Sequence, residues 1–163
     1  MIDSAAGLRR ILDGHRAVAV VGLSAKWHRP SFFAAKYLLD HGYEIFPVNP
    51  AYSEVLGREC YPNLAAVPAA VEVVNCFRRA EEMPELARQA AAAGARVFWM
   101  QIGAHSDEAA KIAEDAGMEA VGNRCMKIEH GRLFGGLHFA GVNTGVISPR
   151  RRGARRAGGG AAK

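Results

Sequence analysis

The segment "GLSAKWHRPS", residues 22–31, sets Lys26, His28 and Arg29 between a glycine and a proline that leads into a helix-like apolar run. Pro30 suits the first position of a helix, where no backbone N–H is needed. Ser31 to Phe33 would then offer free N–H groups at the positive end of the helix dipole, and Lys26 and Arg29 add formal charge beside them. Such a start favours a polyphosphate anion, with charge-assisted hydrogen bonds worth roughly 1.5–3 kcal/mol each. The plainer alternative is a loop with two solvated cations.

Two features decide which nucleotide this turn is built for. The dinucleotide fingerprint GxGxxG is absent, since no second glycine follows Gly22 within the loop. The next strand-like run ends in Val48-Asn49-Pro50, where an NAD-binding protein usually places an acid for the ribose hydroxyls. A neutral turn there tolerates a phosphorylated ribose, because a carboxylate would repel it.

Other chemistry-bearing residues read as structural. His15, His41 and His105 fall at element ends or in loops, where a solvated imidazole is expected, and His28 helps attract anions. His130 and His138 lie in "KIEHGRLFGGLHFAG", expected to form a closing loop or short ribbon, with no carboxylate spaced to make either a general base. Glu81, Glu82 and Glu85 begin a helix, where acids favour the dipole. Three cysteines without CxxC spacing indicate neither a zinc site nor a disulfide framework, so no metal is expected. Cys76 falls inside a buried strand, and Cys60 is expected to be exposed. Trp99 belongs to the core, whereas Trp27 is a candidate cover for an adenine ring.

These residues are carried by alternating elements. Runs at 17–23, 43–48, 71–77, 95–102 and 118–122 are short and β-rich, as strands buried on both faces are. Met83, Leu86, Ala87 and Ala90 share helical spacing, as do Ala109, Ile112, Ala113 and Ala116. Ser106 reads as an N-cap, Gly42, Gly94 and Gly117 read as helix stops, and Ser4 to Asp13 predicts a leading helix. Strand and helix in alternation predict an α/β, doubly wound Rossmann-like parallel five-stranded sheet, three layers deep (αβα), with strand order 3-2-1-4-5. In that fold ligands sit at the carboxyl ends of the strands, so the loop at 22–31 lies at the binding edge.

At 163 residues and 50% hydrophobic the chain is long enough for one substantial core, expected over 1–148. No apolar run approaches the roughly 18 residues of a membrane span, and the N-terminus lacks a leader pattern, so a cytoplasmic protein with no membrane association is expected. The net charge of +5 comes from the end of the chain, where Arg150, Arg151, Arg152, Arg155, Arg156 and Lys163 lie within fifteen residues. The rest carries 15 basic against 16 acidic side chains. Residues 149–163 therefore read as a basic, disordered tail, through which nucleic acid binding is a third-ranked reading.

The blocks "GLSAKWHRPS", "VNP", "LGRECYPNL", "FRRAEE", "WMQIG" and "NRCMKIEHGRL" resemble, in order and spacing, the CoA-binding domain of the succinyl-CoA synthetase alpha subunit, and more closely the small stand-alone bacterial CoA-binding proteins. The resemblance spans Leu8 to Ser148. It implies that Gly22, Ser24 and Lys26 lie along the phosphates of coenzyme A, with Arg29 and Ser31 close by. It implies that Val48, Asn49 and Pro50 face the nucleotide half, and that Phe77 and Arg78 flank the ligand. Gln101 and Gly103 would lie near the pantetheine arm, and Asn123 and Cys125 match the Asn-x-Cys turn after strand five. There Cys125 could meet the pantetheine thiol in a mixed disulfide, or simply pack. The synthetase also needs a phosphorylated histidine in a further domain and a partner subunit, for which this length has no room. The expectation is a nucleotide-binding protein for CoA or an acyl-CoA without catalysis of its own. An NAD(P)-dependent oxidoreductase is the enzyme-class alternative, and an unidentified protein partner is left open.

Overall fold

Alternation along Ala17–Val21 (β1) sends Val18 and Val20 into one core and Ala19 and Val21 into another, so this strand is covered on both faces. The structure is a computed structural model and describes residues 1–135. Before β1 lies α1 (Ala5–Gly14), whose first turn is capped by Ser4 Oγ accepting from the Gly7 N–H, and whose Leu8, Ile11 and Leu12 are buried. After β1 come α2 (Pro30–Asp40) and β2 (Glu44–Val48). A hairpin of two very short strands follows, β3 (Glu54–Val55) and β4 (Arg58–Glu59), and then a 3₁₀ turn at Leu64–Ala66. The chain continues through β5 (Val73–Cys76), a 3₁₀ turn at Ala80–Glu82, α3 (Met83–Ala92), β6 (Val97–Met100), α4 (Asp107–Asp115), β7 (Glu119–Val121) and α5 (Met126–Phe134).

The five longer strands form one parallel sheet in the order β2-β1-β5-β6-β7. Helices α3 and α4 pack together on one face, while α1 and α2 both meet α5 on the other. This is the doubly wound, three-layer α/β architecture expected. The strand order differs. Counted along the main sheet it is 2-1-3-4-5, not 3-2-1-4-5, so the second strand is an edge and the third lies directly beside the first. Pro47 gives the physical reason. Its carbonyl accepts from the Tyr61 N–H on the open side of β2, while the next residue, Val48, turns inward and accepts from Gly22 N–H. The side on which Pro47 lacks a donor is therefore the edge, where no sheet hydrogen bond is lost. In the expected order that strand would be interior.

Two further corrections concern local structure. Residues 126–134, expected as loop or ribbon, form α5, because Met126, His130 and Leu133 find burial against α1 and α2. Cys60, expected to be exposed, is buried and its thiol donates to Asn49 O. The opposite edge, β7, is met by the N-terminal segment, with Ile2 N–H donating to Ala120 O at 2.7 Å. No described helix is long and apolar enough to cross a membrane. The expectations for His138, for the domain boundary at 148 and for the basic tail lie outside the described residues.

Candidate functional site

The carboxyl ends of β1, β2, β5, β6 and β7 open into one cleft of about 1080 Å³. Its shape depends on Gly22. At φ 83° this residue turns the chain out of β1 in the left-handed region, and a Cβ there would lie 2.4 Å from the Phe77 carbonyl oxygen. The β1–α2 loop and the end of β5 therefore touch backbone to backbone. The loop is braced from within. Ser24 N–H donates to Ser31 Oγ at 3.1 Å, Lys26 N–H donates to Ser24 Oγ at 3.1 Å, and the Asn49 side-chain amide donates to Leu23 O at 3.0 Å.

Arg29 occupies the N-cap position of α2 and Pro30 the first helical position, as the sequence predicts. The free amides are fewer than expected. Phe32 and Phe33 N–H groups both turn back to Arg29 O, so Ser31 carries the first-turn N–H without a partner among the described residues. Ser31 is itself buried, and its hydroxyl is occupied in holding the loop. Lys26 and Arg29 line the cleft, are exposed, and have no ion-pair partner among the described residues. Trp27 projects into solvent with 71% exposure and is not part of the lining.

At the end of β5, Phe77 and Arg78 line the cleft, joined by Arg79 and Glu82. Glu82 accepts from Arg78 Nε at 2.6 Å and Arg79 Nε at 3.2 Å. Burial pushes the Glu82 carboxyl up, but the two arginines outweigh it and hold the acid below its ordinary range. With both Nε atoms spent on Glu82, the outer nitrogens of each guanidinium remain for an anion.

Further along the edge, Gln101, Gly103 and Cys125 line the cleft. Gln101 is buried, and its Nε2 donates to Asn75 Oδ1 at 2.6 Å, which leaves its carbonyl oxygen as the group offered outward. Asn75 Nδ2 has no partner among the described residues. Asn123 lines neither this cleft nor its neighbour. At φ 54° it instead accepts from Gly103 N–H through Oδ1 at 3.0 Å and so shapes the turn after β6. Cys125 is the half-buried N-cap of α5. The start of that helix is anchored by Glu129, whose buried carboxylate accepts from Arg124 at 3.1 Å and Arg132 at 2.7 Å.

Val48 and Pro50 are absent from the main cleft and line a smaller adjoining cavity of about 210 Å³ with Asn63, Leu64, Leu86 and Gln89. Gly22, Asn49 and Arg78 border both spaces. Sequence reading missed Tyr52, Arg79, Glu82, Ile102 and Ile128 as lining residues. The doublet Arg78-Arg79 ending a strand was a legible signal. Tyr52 and Ile128 enter only because the chain folds back.

A family model described as the CoA binding domain matches residues 16–131. The chain belongs to this CoA-binding domain family. It is 36% identical over 127 residues to protein YneT of Bacillus subtilis, covering 78% of this chain and 94% of that protein. A solved structure of a protein from Pyrococcus horikoshii superposes with a TM-score of 0.78 at 44% identity, covering 80% of this chain and 92% of that one. The ADP-forming acetate–CoA ligase II of Archaeoglobus fulgidus is 30% identical over 134 residues, 79% of this chain but only 19% of the enzyme. The chain is thus similar to small proteins over nearly their whole length and to a segment of a much larger ligase.

Proposed function

We propose that this protein binds coenzyme A or an acyl-CoA through the nucleotide phosphates and has no catalytic step of its own. The observation that carries the reading is the pair of cations, Lys26 and Arg29, beside the Ser31 N–H at the start of α2, all three without a partner among the described residues. That is an anion site on the positive end of a helix, and it lies inside the cleft. In this reading the pyrophosphate sits there. The Arg78–Arg79 pair, oriented by Glu82, meets the ribose phosphate, and the smaller cavity between Val48, Pro50, Leu64 and Leu86 takes the adenine. The pantetheine arm then runs toward Gln101 and Cys125.

The absence of an acid after β2 argues against the nicotinamide alternative, since Asn49 spends its side chain on Leu23 O and Ala51 N–H. The binding-only reading is supported by the lining itself. The one carboxylate among its described lining residues, Glu82, has its oxygens engaged by Arg78 and Arg79.

Native mass spectrometry of the purified protein, followed by calorimetry with CoA and NAD, tests the proposal. CoA should bind more tightly. Tighter NAD binding, or a co-purified nicotinamide nucleotide, would overturn it.

A further inference from the structure

The cleft changes character along its length. It crosses the sheet from β2 to β7, four strand spacings or roughly 19 Å. Over β1 and β5 its lining includes Lys26, Arg29, Arg78 and Arg79. Over β6 and β7 the described lining residues are Gln101, Ile102, Gly103, Ala104, Cys125 and, from α5, Ile128, with no charged side chain among them.

Ile102 and Ile128 are 62% and 51% exposed. The other large apolar side chains exposed among the described residues, Met1, Trp27 and Phe33, do not line the cleft. These isoleucines contribute little to the core, and they stand on two different elements facing the same space. Cations close in sequence are directed elsewhere. Arg124 pairs with Asp3 and Glu129, Arg132 is buried against Glu129, and Lys127 does not line the cleft.

We infer that the cleft between Ile102 and Ile128 is an acyl subsite, selective for the short apolar acyl group of an acyl-CoA over free CoA and over acyl groups ending in a carboxylate. The inference rests on the proposed CoA binding, which directs the thioester to this end. An aliphatic chain laid there covers both isoleucines and is removed from water with them. A terminal carboxylate in the same place loses hydration and meets no cation among the described residues in return.

The test is calorimetry of the full chain with CoA, acetyl-CoA, butyryl-CoA and succinyl-CoA. Each methylene buried is worth up to about fourfold in affinity, so butyryl-CoA should bind about 4- to 15-fold more tightly than acetyl-CoA. Succinyl-CoA, of the same chain length, should bind at least about tenfold more weakly than butyryl-CoA. Ile128→Lys supplies the missing cation and should reverse that preference. Ile102→Lys, on the exposed turn after β6, should do the same, so the outcome does not hang on one variant folding. Equal affinity for CoA, acetyl-CoA and butyryl-CoA, or a wild type that prefers succinyl-CoA, overturns the acyl subsite while CoA binding stands. Failure of CoA itself to bind overturns both.

Discussion

Replacing Gly22 by alanine should strike the fold and the site together, and a second glycine provides the internal control. At φ 83° any residue with a Cβ carries a left-handed penalty of roughly 1–2 kcal/mol. The new methyl would also lie 2.4 Å from Phe77 O and 2.9 Å from Arg78 Cδ, so the β1–α2 turn and the end of β5 must separate. Forcing backbone apart in a packed region costs roughly a further 1–3 kcal/mol. Gly22→Ala should therefore lose about 2–5 kcal/mol, a large share of the 5–15 kcal/mol typical of a domain. Gly94 has a similar φ of 75° but nothing within 4 Å of its Cβ position, so Gly94→Ala should lose only roughly 1–2 kcal/mol. Urea unfolding of both variants measures the difference, and calorimetry should show CoA affinity reduced in Gly22→Ala alone. Equal losses of stability, with CoA affinity unchanged, would refute the argument that the Gly22–Phe77 contact sets the cleft.

Arg29 caps α2 through its backbone and has no side-chain partner there, so Arg29→Ala should change stability by no more than about 0.5 kcal/mol. Its CoA dissociation constant should rise roughly 10- to 150-fold, and unchanged affinity by calorimetry would reassign the phosphate contact. His130 is buried, and burial foremost, with His41 and Arg16 adding to it, lowers its pKa below the ordinary 6.5. Tyr37, Tyr43 and Phe134 complete its surroundings, and Tyr37 Oη lies 3.0 Å from its Nδ1. The unfolded chain takes up this proton first. Stability should thus decline as pH falls from about 6.5 toward the folded value, and His130→Asn should flatten that decline in urea titrations between pH 5 and 8. Glu72 accepts from the N–H groups of Ala17 and Arg16 at 3.0 and 2.8 Å, which lower its carboxyl pKa. Its contribution is complete above the ordinary 4.5 and fades as pH drops through the lower folded value. Glu72→Ala should cost about 1–3 kcal/mol at pH 7, measured by the same unfolding assay, with less sensitivity to acid than wild type.

Short-range spacing carried a great deal of this protein. Residues within a turn or a strand of each other define period and cap, so the five main strands, the helix beginning near Ser4, the Ser106 cap, Pro30 at the head of α2 and the loop at 22–31 were all legible locally. The cations at 26 and 29 were legible as well, because the end of a parallel strand is the binding edge wherever that strand lies in the sheet, whereas Arg78 followed only from the family resemblance. What was not legible depends on partners distant in the chain. Strand order turned on which neighbour β5 could find, and the one local clue was Pro47. The β3–β4 hairpin turns through Leu56 and Gly57, both at positive φ, and leucine gives almost no sequence signal for such a turn. Helix α5 contains Gly131 and has weak local propensity, yet it forms because α1 and α2 offer a surface on which Met126, His130 and Leu133 are buried. That packing event also brings Cys125 and Ile128 to the cleft, and no pattern within 123–133 states where the helix will dock. Periodicity follows from local backbone geometry, whereas docking is a comparison of burial among surfaces that exist only once the chain has folded.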